Sequence, residues 1–323
     1  MTAQTQLPAI LRQLPLSMAD FERRRFRLDR PEHRRRLEEH ARSFLHGANL
    51  AVDHWRDPHD ALATVPEIER GFAYEGAAMY AAGRDAITGG RARAVTRLAS
   101  GPGDGYIHLI HVGTGWFPAL IRLPMRLGLT SSPLLRWLAL DGAGFARAFF
   151  ARPRALERMC RTEPDGTHVS TWRARMSGVG RALWFVESAH PDSIADRLST
   201  LPPRVRGPLW AGVGLASAYA GALTESDAAA LLHRSRDHRS DLLQGVAFGV
   251  AARHRSGIVP SFTSDASQYL LGTHPEDVAG WTSAAAEGLD ADDVITYELW
   301  RTRLRELVAA AAKPSVDLSG DIR

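Results

Sequence analysis

A glycine-centred motif returns along this chain at a near-constant interval, and it narrows the possible folds more than any other feature. Glu75-Gly-Ala-Ala-Met79 has the order polar, glycine, small, small, large. Asp141-Gly-Ala-Gly-Phe145 repeats that order, and Ala211-Gly-Val-Gly-Leu215 and Gln244-Gly-Val-Ala-Phe248 resemble it. Weaker copies are Val112-Gly-Thr-Gly-Trp116, Ser177-Gly-Val-Gly-Arg181 and Ala279-Gly-Trp281. The leading glycines stand at 76, 113, 142, 178, 212, 245 and 280, so the intervals run from 29 to 37 and average 34. That period is the length of one helical hairpin in a repeat protein. Glycine inside a helix costs ~1 kcal/mol relative to alanine. Its return in every copy therefore points to places where helices approach closely. The expected fold is all-α, a curved, solenoid-like array of helical hairpins with the glycine-rich helices packed inside.

Stop and start signals place partner helices between the glycine helices. They fall at Asp192–Leu201, Ser226–Arg236 and Thr263–Leu271; Pro202 and Pro203 close the first and Gly272 the third. Pro31 suits the first turn of a helix over Glu32–Ala48, and a further apolar stripe carries Leu62 and Val65. The expected organisation is a lead-in and helix over 1–60, a helical repeat domain over 61–312, and a frayed tail over 313–323. A helix bearing Tyr297, Leu299, Trp300 and Leu304 caps the repeat, because a bare repeat end would expose its core. The short runs Tyr106–Val112 and Leu183–Val186 favour β structure by composition. They read equally as strands or as buried helix turns.

Charge and cysteine usage exclude several classes. The net charge is only +4, Lys313 is the only lysine, and the densest arginine stretch, 21–42, is interleaved with acids. Such mixed charge is a solvated helix face, not a nucleic-acid footprint. Cys160 is the only cysteine, so neither an intramolecular disulfide nor a multi-cysteine zinc site can form. Met1–Ala9 is polar, without the apolar core of a signal peptide. The two charge-free stretches, Gly105–Ile121 and Pro208–Thr224, fall short of the ~20 apolar residues of a membrane span. A cytoplasmic protein with no membrane span is expected.

Candidate chemistry is sparse. Gly113-Thr-Gly115 lacks the third glycine of a dinucleotide fingerprint, since Pro118 stands there, and the next acid is the distant Asp141. A Walker loop needs a lysine the chain does not place. His108 and His111 would share a helical face and supply two metal ligands, with no third in view. The polar residues that lead the motif are more informative. Glu75, Asp141 and Gln244 would stand at equivalent positions along one wall of the array. A buried carboxylate there either shifts its pKa upward and serves as an acid or base, or pairs with an arginine such as Arg70 or Arg136. Glu75, His111 and Asp141 are the catalytic candidates. Trp116, Trp137, Trp210, Tyr219 and Gln244 are the candidate ligand-binding residues, the aromatics suiting a long apolar or planar molecule. No cofactor and no metal are assigned.

Six blocks, in order, resemble an uncharacterised bacterial family known as enediyne biosynthesis proteins. They are Arg70-Gly-Phe-Ala-Tyr-Glu-Gly-Ala-Ala-Met79, His111-Val-Gly-Thr-Gly-Trp116, Leu134–Gly142, Leu183–Glu187, Leu209–Leu215 with Ala218–Gly221, and Gln244–Phe248. The likeness spans about Val65 to Arg303. It implies an accessory protein that works beside the polyketide synthases of enediyne antibiotics, on a polyene-derived intermediate. It brings no assigned reaction or catalytic residues. The implied partner is a polyene or enediyne-type small molecule, or a pathway enzyme such as the polyketide synthase. Whether the protein catalyses a reaction stays open. The alternatives are a helical scaffold that recruits pathway enzymes and a metal enzyme built on His108 and His111.

Overall fold

The computed structural model describes residues 12–123, 132–151, 153–162 and 168–311, so the expected polar start Met1–Ala9 and tail 313–323 lie outside the described residues. The described chain is all-α, with no strand among the described residues. In chain order its helices are α1 (Phe21–Arg24), α2 (Pro31–His54), α3 (His59–Ala63), α4 (Glu67–Ile87), α5 (Ala94–Leu98), α6 (Ile107–Thr114), α7 (Trp116–Leu120), α8 (Leu138–Phe149) and α9 (Pro153–Arg161). They continue as α10 (Val169–Val186), α11 (Pro191–Ser199), α12 (Pro203–Tyr219), α13 (Glu225–Arg234), α14 (Arg239–Arg255), α15 (Ser261–Leu271), α16 (Pro275–Ala286) and α17 (Val294–Ala311). Both ambiguous runs are helical: 107–112 falls in α6 and 183–186 ends α10. A helix satisfies its backbone internally, so these segments can be covered on both sides by other helices without a pairing strand.

Local chemistry sets the boundaries. Proline opens α2, α11, α12 and α16 at the first turn, where its missing N–H is no loss. Thr224 and Asp227 close a capping box at the start of α13. The buried carboxylate of Asp85 accepts from the N–H groups of Ala94 and Val95, which fixes the start of α5 to the end of α4. Each long helix packs on the long helix before it and on the one after it, along α2, α4, α6, α8, α10, α12 and α14.

The glycines explain how. In α8, a Cβ added at Gly142 would lie 1.9 Å from the Val112 carbonyl oxygen in α6, and one at Gly144 would lie 1.9 Å from the Arg175 oxygen in α10. In α10, a Cβ at Gly178 would lie 1.8 Å from the Asp141 oxygen in α8, and one at Gly180 would lie 2.0 Å from the Leu209 oxygen in α12. Residues two apart on a helix are turned about 200° from each other. In a glycine-x-glycine pair, the first glycine therefore admits the preceding helix and the second admits the following one. The ~1 kcal/mol helical penalty of each glycine is offset by backbone-to-backbone packing that any side chain would prevent.

The two ends of this succession meet. His40 of α2 reaches the carbonyl oxygen of Ala220, and Arg253 of α14 donates to the carbonyl oxygens of Ile68 and Tyr219. The Arg253 guanidinium, 1% exposed, also lies 4.1 Å from the centroid of the Tyr219 ring. Residues before α2 pack into the same core. Phe21 is fully buried against Phe26 and Phe185, and the Arg27 N–H donates to the Val186 carbonyl oxygen.

Candidate functional site

Two cavities lie beside the α4, α8, α10 and α12 contacts. The first has a volume of about 40 Å3 and is lined by Phe44, Phe72, Trp116, Phe145, Phe149 and Phe185, among others. The second has a volume of about 60 Å3 and is lined by apolar residues including Leu109, Val112, Leu215 and Phe248, with polar groups from Asp141, Gln244 and Arg301. Both are partly open and well below the roughly 300–1,000 Å3 of ligand pockets, so a ligand-sized molecule enters only where their walls move apart. Arg181, Phe72 and Phe185 border both cavities.

Arg181 is the centre of the arrangement. Its Nη1 donates to Asp141 Oδ1 at 2.5 Å, and its Nη2 donates to Glu75 Oε1 at 3.4 Å. Glu75 Oε1 also accepts the indole N–H of Trp116 at 3.0 Å. Exposure is 2% for Glu75, 3% for Asp141 and 7% for Arg181, so water contributes little to any of them. Glu75 faces the first cavity and Asp141 the second. The glycines build this cluster directly. Gly113 presses α6 on the backbone of Glu75, and Gly178 presses α10 on the backbone of Asp141. Arg181 lies three residues beyond Gly178, one turn along the same contact.

The charges do not cancel. One guanidinium faces two carboxyls, and burial pushes the Glu75 carboxyl above its ordinary value despite the pull of Arg181 and the Trp116 N–H. Burial alone would lower Arg181, but Asp141 and Glu75 outweigh it and hold the guanidinium firmly charged. Both contacts to Glu75 from described residues fall on Oε1; its Oε2 takes no hydrogen bond from a described residue. That oxygen is free to carry a proton beside the first cavity.

A second buried pair borders the first cavity. His40 Nδ1 lies 2.8 Å from Glu69 Oε1, and its Nε2 lies 2.8 Å from the Ala220 carbonyl oxygen. A carbonyl only accepts, so Nε2 carries a hydrogen and Nδ1 faces the carboxyl. The ring stacks on Phe72 with centroids 4.3 Å apart. With both nitrogens engaged, this histidine shapes the wall and offers no free lone pair.

The structure sorts the candidates chosen from sequence. Glu75 and Asp141 come together, but through Arg181. Arg70 instead binds the carbonyls of Ala63 and Val65, and Arg136 pairs with Asp292. Trp116 lines the first cavity, and Tyr219 and Gln244 line the second. Trp210 is 3% exposed within the core, and Trp137 packs beside Leu134 and Leu140; neither borders the two cavities. His108 lines the second cavity, while His111 is buried away from both. Burial lowers His108 to about 4 and His111 to about 3, so both rings are neutral near pH 7. Among the described residues, no three His, Cys, Asp or Glu side chains converge as a metal-ligand group. Cys160 is buried, and burial raises its thiol to about 11. No helix among the described residues is long and apolar enough to cross a membrane.

Arg181, the residue that organises the site, carried a readable signal. Aligned on the glycines, it stands where other copies have Met79, Phe145, Leu215 and Phe248. A charge at a position that is otherwise large and apolar marks either a surface turn or a buried ion cluster.

Fold and site together define an all-α protein, among the described residues, with two small, largely apolar cavities that meet at a buried carboxyl–guanidinium cluster. The chain belongs to a family of proteins of unknown function, DUF1702, which it matches over residues 6–308. No curated protein and no solved structure matches it.

Proposed function

We propose that this protein is an accessory component of enediyne-type polyketide biosynthesis, binding a polyene-derived intermediate and transforming it by proton transfer without a recognisable cofactor. The pathway assignment rests on the six sequence blocks and their order. The ligand class rests on one structural observation: two aromatic-lined cavities meet at a buried carboxyl that burial holds above its ordinary value. A conjugated chain is apolar and planar, and it would stack on Phe44, Phe145 and Trp116, whose rings lie 4.2 to 5.2 Å apart. Glu75 Oε2 gives its proton to an unsaturated carbon or carbonyl oxygen of the ligand. The carboxylate left behind is stabilised by the adjacent Arg181 guanidinium and the Trp116 N–H.

A recruiting scaffold would present a shallow groove with exposed arginines and aromatics, and the buried Glu75–Arg181–Asp141 cluster beside two apolar cavities favours the small-molecule reading over it. The test is to incubate the purified protein with extract from a strain lacking its gene and to follow compounds by mass spectrometry. The wild type converts a compound, and Glu75→Gln retains it unchanged. If no compound is converted or co-purifies with either protein, the reading fails.

A further inference from the structure

The second cavity holds a cation that the Glu75–Arg181–Asp141 cluster does not use. Arg301, on α17, is 2% exposed and lines that cavity. Its guanidinium donates no hydrogen bond to a described residue, and Nη1 is buried without an acceptor. The closest carboxylate oxygen is Glu298 Oε2, 3.5 Å from Nη1 but outside hydrogen-bond geometry. The other oxygen of Glu298 is already engaged by Arg173 at 3.2 Å and Arg305 at 3.5 Å, and Arg305 also lies 3.6 Å from Asp241. Three guanidiniums thus face two carboxylates. Asp141, the next acid on the cavity wall, is held by Arg181.

A buried guanidinium without hydrogen-bond acceptors is disfavoured relative to a satisfied one. Its five N–H donors form a fork that matches a carboxylate. We propose that Arg301 is the anion anchor of the second cavity, taking the carboxylate of an elongated apolar acid whose chain lies along Leu109, Val112, Leu215 and Phe248. The proposal rests on the same cavity system as the function above, and names the end of the ligand that the structure is built to hold.

It is tested by binding alone, so that its failure is separable from a failure of turnover. The probe is cis-parinaric acid, a conjugated tetraene acid that becomes fluorescent in apolar surroundings, titrated beside its methyl ester. The wild type binds the acid at least about tenfold more tightly than the ester, the scale of one charge-assisted pair. Arg301→Met loses that preference while its ester affinity holds, and Arg301→Lys recovers part of it. Equal affinity of the wild type for acid and ester overturns the anchor without any variant, and so does the absence of binding by both. An Arg301→Met protein that folds, shown by its circular dichroism, and still prefers the acid overturns it as well.

Discussion

Replacing Arg181 with methionine tests the buried cluster most directly. Methionine keeps an unbranched apolar stem and removes the guanidinium, so most of the loss is electrostatic, with a smaller part from the contact with the Phe145 ring. In the wild type, the guanidinium bonds Asp141 at 2.5 Å and Glu75 at 3.4 Å, both carboxyls being almost wholly out of water. Breaking a buried pair by removing one partner costs about 3–5 kcal/mol, because the remaining charge is left uncompensated. Here two carboxyls are left, so the upper part of that range is expected at pH 8. Part of the penalty can be relieved by protonation. Without the guanidinium, burial raises Glu75 further, and the mutant recovers stability as the pH is lowered toward 5. The assay is urea unfolding of wild type and Arg181→Met at pH 8 and pH 5, followed by tryptophan fluorescence. Glu75→Gln is the control. Its amide still accepts from Trp116 and Arg181. The folded Glu75 carboxyl lies above its unfolded value, so the native acid contributes stability below that unfolded value and loses it as pH rises through the folded one. The amide does not titrate, so the control gains on the wild type with rising pH. A loss below about 1 kcal/mol in Arg181→Met at both pH values would refute the buried cluster.

The remaining expectations follow from single contacts. Gly178→Leu forces a side chain into the Asp141 backbone, where even a Cβ would lie 1.8 Å from oxygen; a loss of about 3 kcal/mol or more, or failure to fold, is expected in denaturant titration. His108 is lowered to about 4 by burial, so its neutral form contributes stability above the unfolded value near 6.5 and loses it as pH falls toward 4. His108→Gln therefore flattens acid unfolding by up to roughly 3 kcal/mol, read as the difference in urea midpoints between pH 7 and pH 4.5. Cys160, buried with its thiol raised to about 11, reacts with a disulfide reagent at pH 8 only after denaturant is added; prompt labelling of the native protein contradicts its burial.

The sequence carried the helical class, because periodic apolar stripes and recurrent glycines are local statements about which residues can touch a neighbouring backbone. It also gave most helix positions within a turn or so: Glu225–Arg234 stands where Ser226–Arg236 was expected, and Ser261–Leu271 where Thr263–Leu271 was. Pro203 was read as closing a helix, but it opens α12, since proline serves equally after one helix and at the first turn of the next. The runs at 106–112 and 183–186 stayed ambiguous for a similar reason: a short apolar segment buried on all sides shows neither period.

Glu75 and Asp141 lead the motif and are buried together, but their partner is Arg181 and not Arg70 or Arg136. Arg70 lies near Glu75, and Arg136 near Asp141, along the chain. Arg181 lies 106 positions from Glu75, and only the meeting of α4 with α10 sets them side by side. The aromatic candidates divided on the same ground. Trp116 and Trp210 are alike by composition and burial, but one borders a cavity and the other fills the core. The sequence by itself determined that the glycine helices pack closely, since the missing Cβ is a property of each residue. Which charges share a buried site, and which walls leave space between them, depend on the curvature summed over all the helix contacts, and only the tertiary structure decided those.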